Sequence, residues 1–401
     1  MRVGSKMFKT IDQHDVSGKK VLVRADLNVP MHDGEVTDAT RLERLAPTII
    51  ELLDRGALVI IASHFGRPEG ERRSEMTMAT LCGPLSGVLG GRNVVFADDC
   101  IGPEAGKVID AATGSDVVLL ENLRFHAGEE ENDAAFASKL ASLADIYVND
   151  AFSVAHRAHA STEKLPRLLP SAAGRLMQAE LAALNSALGS PERPVGAIVG
   201  GAKISTKLDL LENLVKKVDM LAIGGAMANT FLHALGTDVG KSLCEAQMRP
   251  TALQILGIAD HAGCEIVLPS DAVVAAEFAE GVSSQVVPVT AVPSDMMILD
   301  IGPGSANALA AKMGDLRTLV WNGPLGAFEV APFDAGTVML AKVAADLTRS
   351  GFLNTVAGGG DTVAALAVAD VVDEFSYVST AGGAFLEWLE GKELPGVKAL
   401  D

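Results

Sequence analysis

Arginine and histidine recur at one kind of place in the first half of this sequence, just after a short apolar run. The run at 21–23 leads to Asp26, Asn28 and Pro30, and the run at 58–62 leads to His64, Phe65, Gly66 and Arg67. The run at 117–120 precedes Arg124 and His126, and the run at 146–148 precedes Asp150, His156, Arg157 and His159. Arg41, at the start of a helical pattern that follows a turn, adds a cation from another direction. Guanidinium forks grip carboxylates and phosphates with paired N–H groups, so several of them at neighbouring strand ends would suit a small acid carrying both groups. A single arginine is usually a solvated surface residue. Here 13 arginines fall in residues 1–175 and only 4 afterwards, in a chain whose net charge is −18.

The second half repeats a different device, an apolar run followed by glycines and then a helical pattern, at 197–201, 221–225, 355–360 and 378–383. Without a Cβ the backbone can approach a ligand closely, and N–H groups at a helix start attract phosphate. Turns use glycine for shape alone as well, so the neighbours matter more than the clusters. Lys203 and Lys207 follow Gly200 and Gly201 at a spacing that would place both on one face of an opening helix, and Gly224 stands in the next cluster. Gly358, Gly359 and Gly360 run into Asp361 and Thr362, a carboxylate and a hydroxyl suited to Mg²⁺ beside phosphate oxygens. Helix capping is the plainer role for that aspartate. In the loop 321–329, Asn322 and Glu329 offer polar contacts, the glutamate as an acceptor for ribose hydroxyls. Residues 196–201 have Walker-type glycine spacing with Ala202 where lysine belongs, and no GxGxxG is complete, so ordinary P-loop and dinucleotide readings lose support.

Other chemistry is less well founded. His156 and His159 lie three apart, but a zinc site needs three or four ligands, and spacing gives Asp150 and His126 no reason to join them. The cysteines, Cys82, Cys100, Cys244 and Cys264, form no CxxC pair and are expected to be reduced thiols. The acidic run 129–131 reads as a solvated face.

The elements that must position these residues follow from the apolar pattern. At 401 residues, two lobes are expected. A composition 48% hydrophobic but only 4% aromatic points to cores of Ala, Val, Leu and Ile, as in layered α/β proteins. The short apolar runs are continuous rather than alternating, which marks strands of parallel sheets covered by helices on both faces. Each lobe should therefore be a three-layer α/β/α sandwich. Met177, Leu181, Leu184 and Leu188 fall at helical spacing before Gly189-Ser190-Pro191, so a helix at 176–190 should join lobes at 1–175 and 191–384. The acidic balance excludes nucleic acid or an anionic membrane as the main partner. No signal pattern or spanning apolar run is evident, and a cytoplasmic location is expected.

Taken in order, residues 20–30, 63–68, 121–126, 156–159, 200–207, 321–329 and 358–362 resemble the phosphoglycerate kinase family over nearly the whole chain. The resemblance implies reversible, Mg²⁺-dependent transfer of a phosphoryl group between 1,3-bisphosphoglycerate and ADP, giving 3-phosphoglycerate and ATP. It implies that Asp26, Leu27, Asn28, Arg41, His64, Phe65, Gly66, Arg67, Arg124 and Arg157 form the phosphoglycerate site. Lys203, Lys207, Gly224, Asn322, Glu329, Gly358, Gly359, Gly360, Asp361 and Thr362 would face the nucleotide, with Asp361 on the metal and Arg41, Lys203 and Lys207 acting on the transferring group. A hinged, monomeric, two-lobed protein is implied, its tail at 385–401 returning to the first lobe. Leu27, Phe65, Asn229, Ala381 and Phe385 depart from the commoner family pattern, the last two in the late glycine motif. The rival readings are a dehydrogenase, which lacks its fingerprint here, and an inactive nucleotide-binding scaffold, which would be expected to have lost Arg41, Lys207 or Asp361.

Overall fold

The computed structural model describes residues 2, 3 and 6–401, with side chains from residue 8 onward. The chain divides into two compact units, Met1–Ala182 with Glu393–Asp401, and Ala183–Lys392. In the first unit six strands, β1 (Lys20–Arg24), β2 (Leu58–Ala62), β3 (Val94–Ala97), β4 (Val117–Leu120), β5 (Ile146–Asn149) and β6 (Ser171–Ala173), form one sheet in the order β6-β5-β1-β2-β4-β3. All neighbours are parallel. Helix α1 (Thr40–Asp54) buries Leu42, Leu45, Ile49 and Leu52 against the face that carries Val21, Val23, Val59 and Ile61. That stripe at three- and four-residue spacing is why the segment is helical. It also sets Arg41 at the mouth of the sheet, in the first turn of the helix.

The second unit carries β7 (Val195–Val199), β8 (Met220–Ile223), β9 (Glu265–Val267), β13 (Thr318–Asn322), β14 (Asn354–Gly358) and β15 (Tyr377–Ser379) in a parallel sheet ordered β9-β8-β7-β13-β14-β15. Its helices include α3 (Leu208–Leu214), α4 (Gly225–Ala234), α5 (Gly360–Val368) and α6 (Gly382–Leu389). Winding proceeds outward from β7 in one direction and from β13 in the other. The reversal between them is where doubly wound sheets open a ligand crevice at the strand C-termini.

An antiparallel sheet ordered β11-β10-β12, from β10 (Asp271–Ala275), β11 (Ser284–Pro288) and β12 (Met297–Ile301), lies beside this fold and has no counterpart in the pattern of continuous runs. Only one face of it is well covered, and β11 is largely exposed, so its sequence carries too little apolar continuity to stand out.

Three details differ from the sequence reading. The joining segment is an α-helix, α2 (Arg175–Leu184), continued by a π-helical turn at Asn185–Gly189, and the division between units falls inside α2 rather than around it. The tail that belongs with the first unit begins at Glu393, not at residue 385, because α6 packs Phe385 and Leu389 into the second unit's core. Glu129 is not on a solvated face: its side chain is wholly buried, whereas Glu130 and Glu131 are exposed. Among the described residues no helix is long and apolar enough to cross a membrane.

Candidate active site

In the first unit the C-terminal ends of β1, β2, β4 and β5 bring most of the expected anion-binding residues together. The Arg41 guanidinium donates through Nη1 to Asp26 Oδ2 at 2.7 Å and to the Asn28 carbonyl at 2.9 Å. Ser153 Oγ donates to the same aspartate oxygen at 2.5 Å, so Asp26 works here as an anchor for Arg41. The Asn28 side chain accepts from Gly66 N at 2.9 Å, and Arg124 Nη1 donates to the Gly66 carbonyl at 2.9 Å. These bonds tie three strand-end loops into one rim. Arg124 also pairs with Glu130 at 3.2 Å. Arg157 is half-buried and Arg67 exposed. Leu27 is fully buried and packs in the core; its role is support, and its backbone N–H donates to Ser63 Oγ at 2.9 Å.

His64 is 5% exposed, and burial, reinforced by Arg24, Arg124, Arg157 and Arg41, holds its imidazole well below the ordinary histidine value. It is therefore a neutral hydrogen-bonding group at physiological pH. Burial first, then Arg124, Arg24 and Arg157, brings His159 down to about 4. Asp150 does not join any histidine: it is buried, raised to about 6 by that burial, and its Oδ1 accepts from Met177 N at 2.9 Å at the start of α2. His126 instead meets Asp99 at 2.8 Å, with Cys100 close by. The sequence reading passed over Arg24, which is completely buried. A charge closing the apolar run Val-Leu-Val-Arg was the available signal.

In the second unit the glycine turns meet at the reversal between β7 and β13. A Cβ on Gly200 would lie 1.7 Å from the Pro324 carbonyl oxygen, and Gly323, at φ +104°, touches Gly200 in return. The two strand ends thus pack backbone against backbone, and Gly200 N donates to the Asn322 carbonyl at 3.0 Å. Lys203 and Lys207 do not share a helix face. Lys203 is extended and exposed, a 3₁₀ turn at Ile204–Thr206 follows, and α3 begins only after Lys207. The ammonium of Lys207 folds back to the turn, donating to the Gly200 carbonyl and to Asn322 Oδ1, both at 2.7 Å. Burial lowers it to about 8, with Asp361 acting against that shift.

Asn322 also donates to the Gly358 carbonyl at 2.7 Å, and Thr362 Oγ1 accepts from Gly323 N at 2.7 Å while donating to the Gly358 carbonyl at 2.9 Å. Both side chains therefore shape the turns. Gly359, at φ +100°, precedes α5, whose first turn contains the exposed Asp361. A cavity of about 620 Å³ opens here. Gly201, Gly225, Leu325, Glu329 and Asp361 are part of its polar and backbone-rich side, and Leu232, Phe278, Val289 and Ile298 of its apolar side. Such a profile fits a flat apolar ring joined to a polar, charged portion. Gly224 lies just behind the wall, its Cα against Leu325, and Gly360 faces open space. Asp300, which the sequence reading missed, also lines the cavity; burial raises it to about 7, and it accepts from Gly336 N and Ile301 N, both at 2.8 Å.

The model of the family described as phosphoglycerate kinase matches residues 11–392. The chain is 62% identical over 394 residues to the phosphoglycerate kinase of Chelativorans sp. strain BNC1, covering 98% of this chain and 99% of that protein. It is 60% identical to that of Agrobacterium fabrum, with 98% of each covered. Among solved structures, phosphoglycerate kinase from Coxiella burnetii superposes with a TM-score of 0.92 at 42% identity, over 98% of this chain and 99% of the other. The Pyrococcus horikoshii OT3 enzyme gives 0.77 at 31%, with 98% of each chain covered. Agreement at that identity, along the whole length and in both units, means that the chain belongs to the phosphoglycerate kinase family.

Proposed function

We infer that the chain carries out its family's reaction, reversible phosphoryl transfer between 1,3-bisphosphoglycerate and ADP to give 3-phosphoglycerate and ATP. One observation supports the assignment of roles: two separate clusters suited to anions stand at strand C-termini, one arginine-rich, the other glycine-lined with a half-buried lysine beside a ring-sized cavity. Asp26, Asn28, Arg41, His64, Arg67, Arg124 and Arg157 would hold the phosphoglycerate. Lys207, the turns at Gly224 and 358–360, and the cavity would hold the nucleotide, Glu329 taking the ribose and Lys203 a phosphate.

No catalytic base is required, because the attacking carboxylate or phosphate oxygen is already an anion; positioning and neutralisation of charge are enough. Arg41 and Lys207 would stabilise the moving phosphoryl group from its two sides. Mg²⁺ suits the residues present: Asp361 is an exposed carboxylate on the cavity wall, and Mg²⁺ commonly takes one or two carboxylates plus phosphate oxygens and water. When bound it would neutralise charge on the nucleotide's phosphates. Transfer also needs the two anions brought to bond-forming distance with water kept out, so a closing motion, with α2 in the joining segment, belongs to the proposal. We take the protein to act as a cytoplasmic monomer.

A coupled assay tests the reading. ATP should be consumed only when 3-phosphoglycerate and Mg²⁺ are both present. No turnover with both supplied would overturn it.

A further inference from the structure

Beneath the arginine rim lies a chain of buried polar groups that the reaction does not use directly. Glu129 is fully buried in a short helix, Ala127–Glu130. Its two oxygens receive Ser161, one from Oγ at 2.5 Å and the other from the backbone N–H at 2.9 Å. Ser161 Oγ in turn accepts from Arg24 Nε at 2.8 Å, and Tyr147 holds the Ser161 carbonyl through its hydroxyl at 2.8 Å. Arg24 also donates through Nη1 to the Ala25 carbonyl, and its Nη2 faces His64 Nδ1 at 3.4 Å. A guanidinium has only donors, so His64 Nδ1 must accept, and the ring's proton sits on Nε2. His64 then presents an N–H, not a lone pair, to an anion.

We propose that Glu129 is a positioning residue for phosphoglycerate binding, acting through Ser161 and Arg24 to fix His64 as the Nε2–H donor. The proposal rests on the substrate assignment above. Its logic is that a buried guanidinium is held in one orientation by a partner at each of its three nitrogens, and Ser161 can present a lone pair to Arg24 Nε because its own proton is directed to Glu129. Burial raises the carboxyl while Arg24, as its principal opposing charge, works to keep it ionised. A plain counter-charge role makes the opposite prediction. Removing a negative charge beneath an arginine cluster raises the local positive potential and should tighten anion binding. Positioning and charge therefore pull the measured affinity in different directions.

The test uses the intact protein and two variants, Glu129→Gln, which removes the charge, and Ser161→Ala, which breaks the link and leaves the charge. Both should raise the KM for 3-phosphoglycerate about tenfold, as expected for loss of one oriented bond to an anion, with the KM for ATP unchanged. Nitrogen-15 spectra of the histidine rings should show His64 of the unaltered protein protonated on Nε2 and both variants with a mixture of tautomers. Unchanged or tighter binding in the two variants would overturn the proposal. So would an Nδ1 proton on His64 in the unaltered protein, a result that does not depend on the variants folding. If the unaltered protein fails to bind phosphoglycerate, the substrate assignment falls, and the tautomer spectra still decide whether Glu129 orients His64.

Discussion

Arg41 and Lys207 carry the two sharpest residue-level expectations because each is held in place by bonds that leave it chemically available. Only Nη1 of Arg41 is engaged by Asp26 and Asn28, so the rest of its fork can meet a ligand. Arg41→Ala should lower kcat by about 10²–10³-fold, the usual cost of removing one transition-state donor. Direct titration should show nucleotide affinity unchanged, since Arg41 belongs to the other unit; an equal loss would refute its role. Lys207, lowered to about 8, is mostly charged at pH 7 and half neutral near pH 8. Phosphate favours the ammonium, so nucleotide affinity should be full below pH 8 and fall as pH rises through it, with proton uptake on binding near pH 8. Calorimetry in buffers of different ionisation enthalpy would measure that uptake, and Lys207→Ala should abolish it. That cationic residues would gather at the strand ends could be read in the sequence because charge after an apolar run is conspicuous. Glu129, Arg24 and Asp300 were harder: the chemistry of each depends on what covers it, and spacing cannot reveal burial.

At the scale of elements, the turn between β14 and α5 shows that a glycine-rich motif takes its meaning from what packs against it. The sequence left Phe385 as an unexplained departure. In the fold its fully buried ring lies under Gly358, so near that a Cβ there would be 2.6 Å from the ring. Two elements distant in sequence, β14 and α6, are thus fitted to each other by one missing methyl group. Gly358→Ala should cost about 1–3 kcal/mol through overpacking, and nucleotide affinity should fall with it because the displaced strand end carries the Asn322 bond. Adding Phe385→Ser should restore much of the affinity. Thermal unfolding with nucleotide titration would check both, and no rescue in the double variant would show that the ring is not the obstacle. The parallel strands were legible from continuous apolar runs. The lysine pair was not, because four-residue spacing implies a shared face only within an α-helix, and here a 3₁₀ turn intervenes.

For the whole molecule, chain order and spatial grouping disagree at one place, and that place makes a prediction. Residues Glu393–Asp401 follow the second unit in sequence yet belong to the first. Leu394 and Leu400 are buried, Gly396 N donates to the Ala155 carbonyl at 2.8 Å, and Asn149 Nδ2 donates to the Gly396 carbonyl at 3.2 Å. The family resemblance implied that the tail returns to the first lobe, but the apolar residues alone could not say that the return begins only at Glu393. Two fully buried leucines are worth roughly 3–6 kcal/mol together, comparable to the stability of many domains. Ending the chain after Lys392 should therefore lower the first unit's unfolding temperature and leave the second unit's almost unchanged. Ala155 immediately precedes His156 and Arg157, so phosphoglycerate binding should weaken in parallel while nucleotide binding persists. Calorimetry with each ligand in turn separates these outcomes: a truncated chain whose two units lost stability equally would mean that the last nine residues support the molecule as a whole rather than the anion-binding unit.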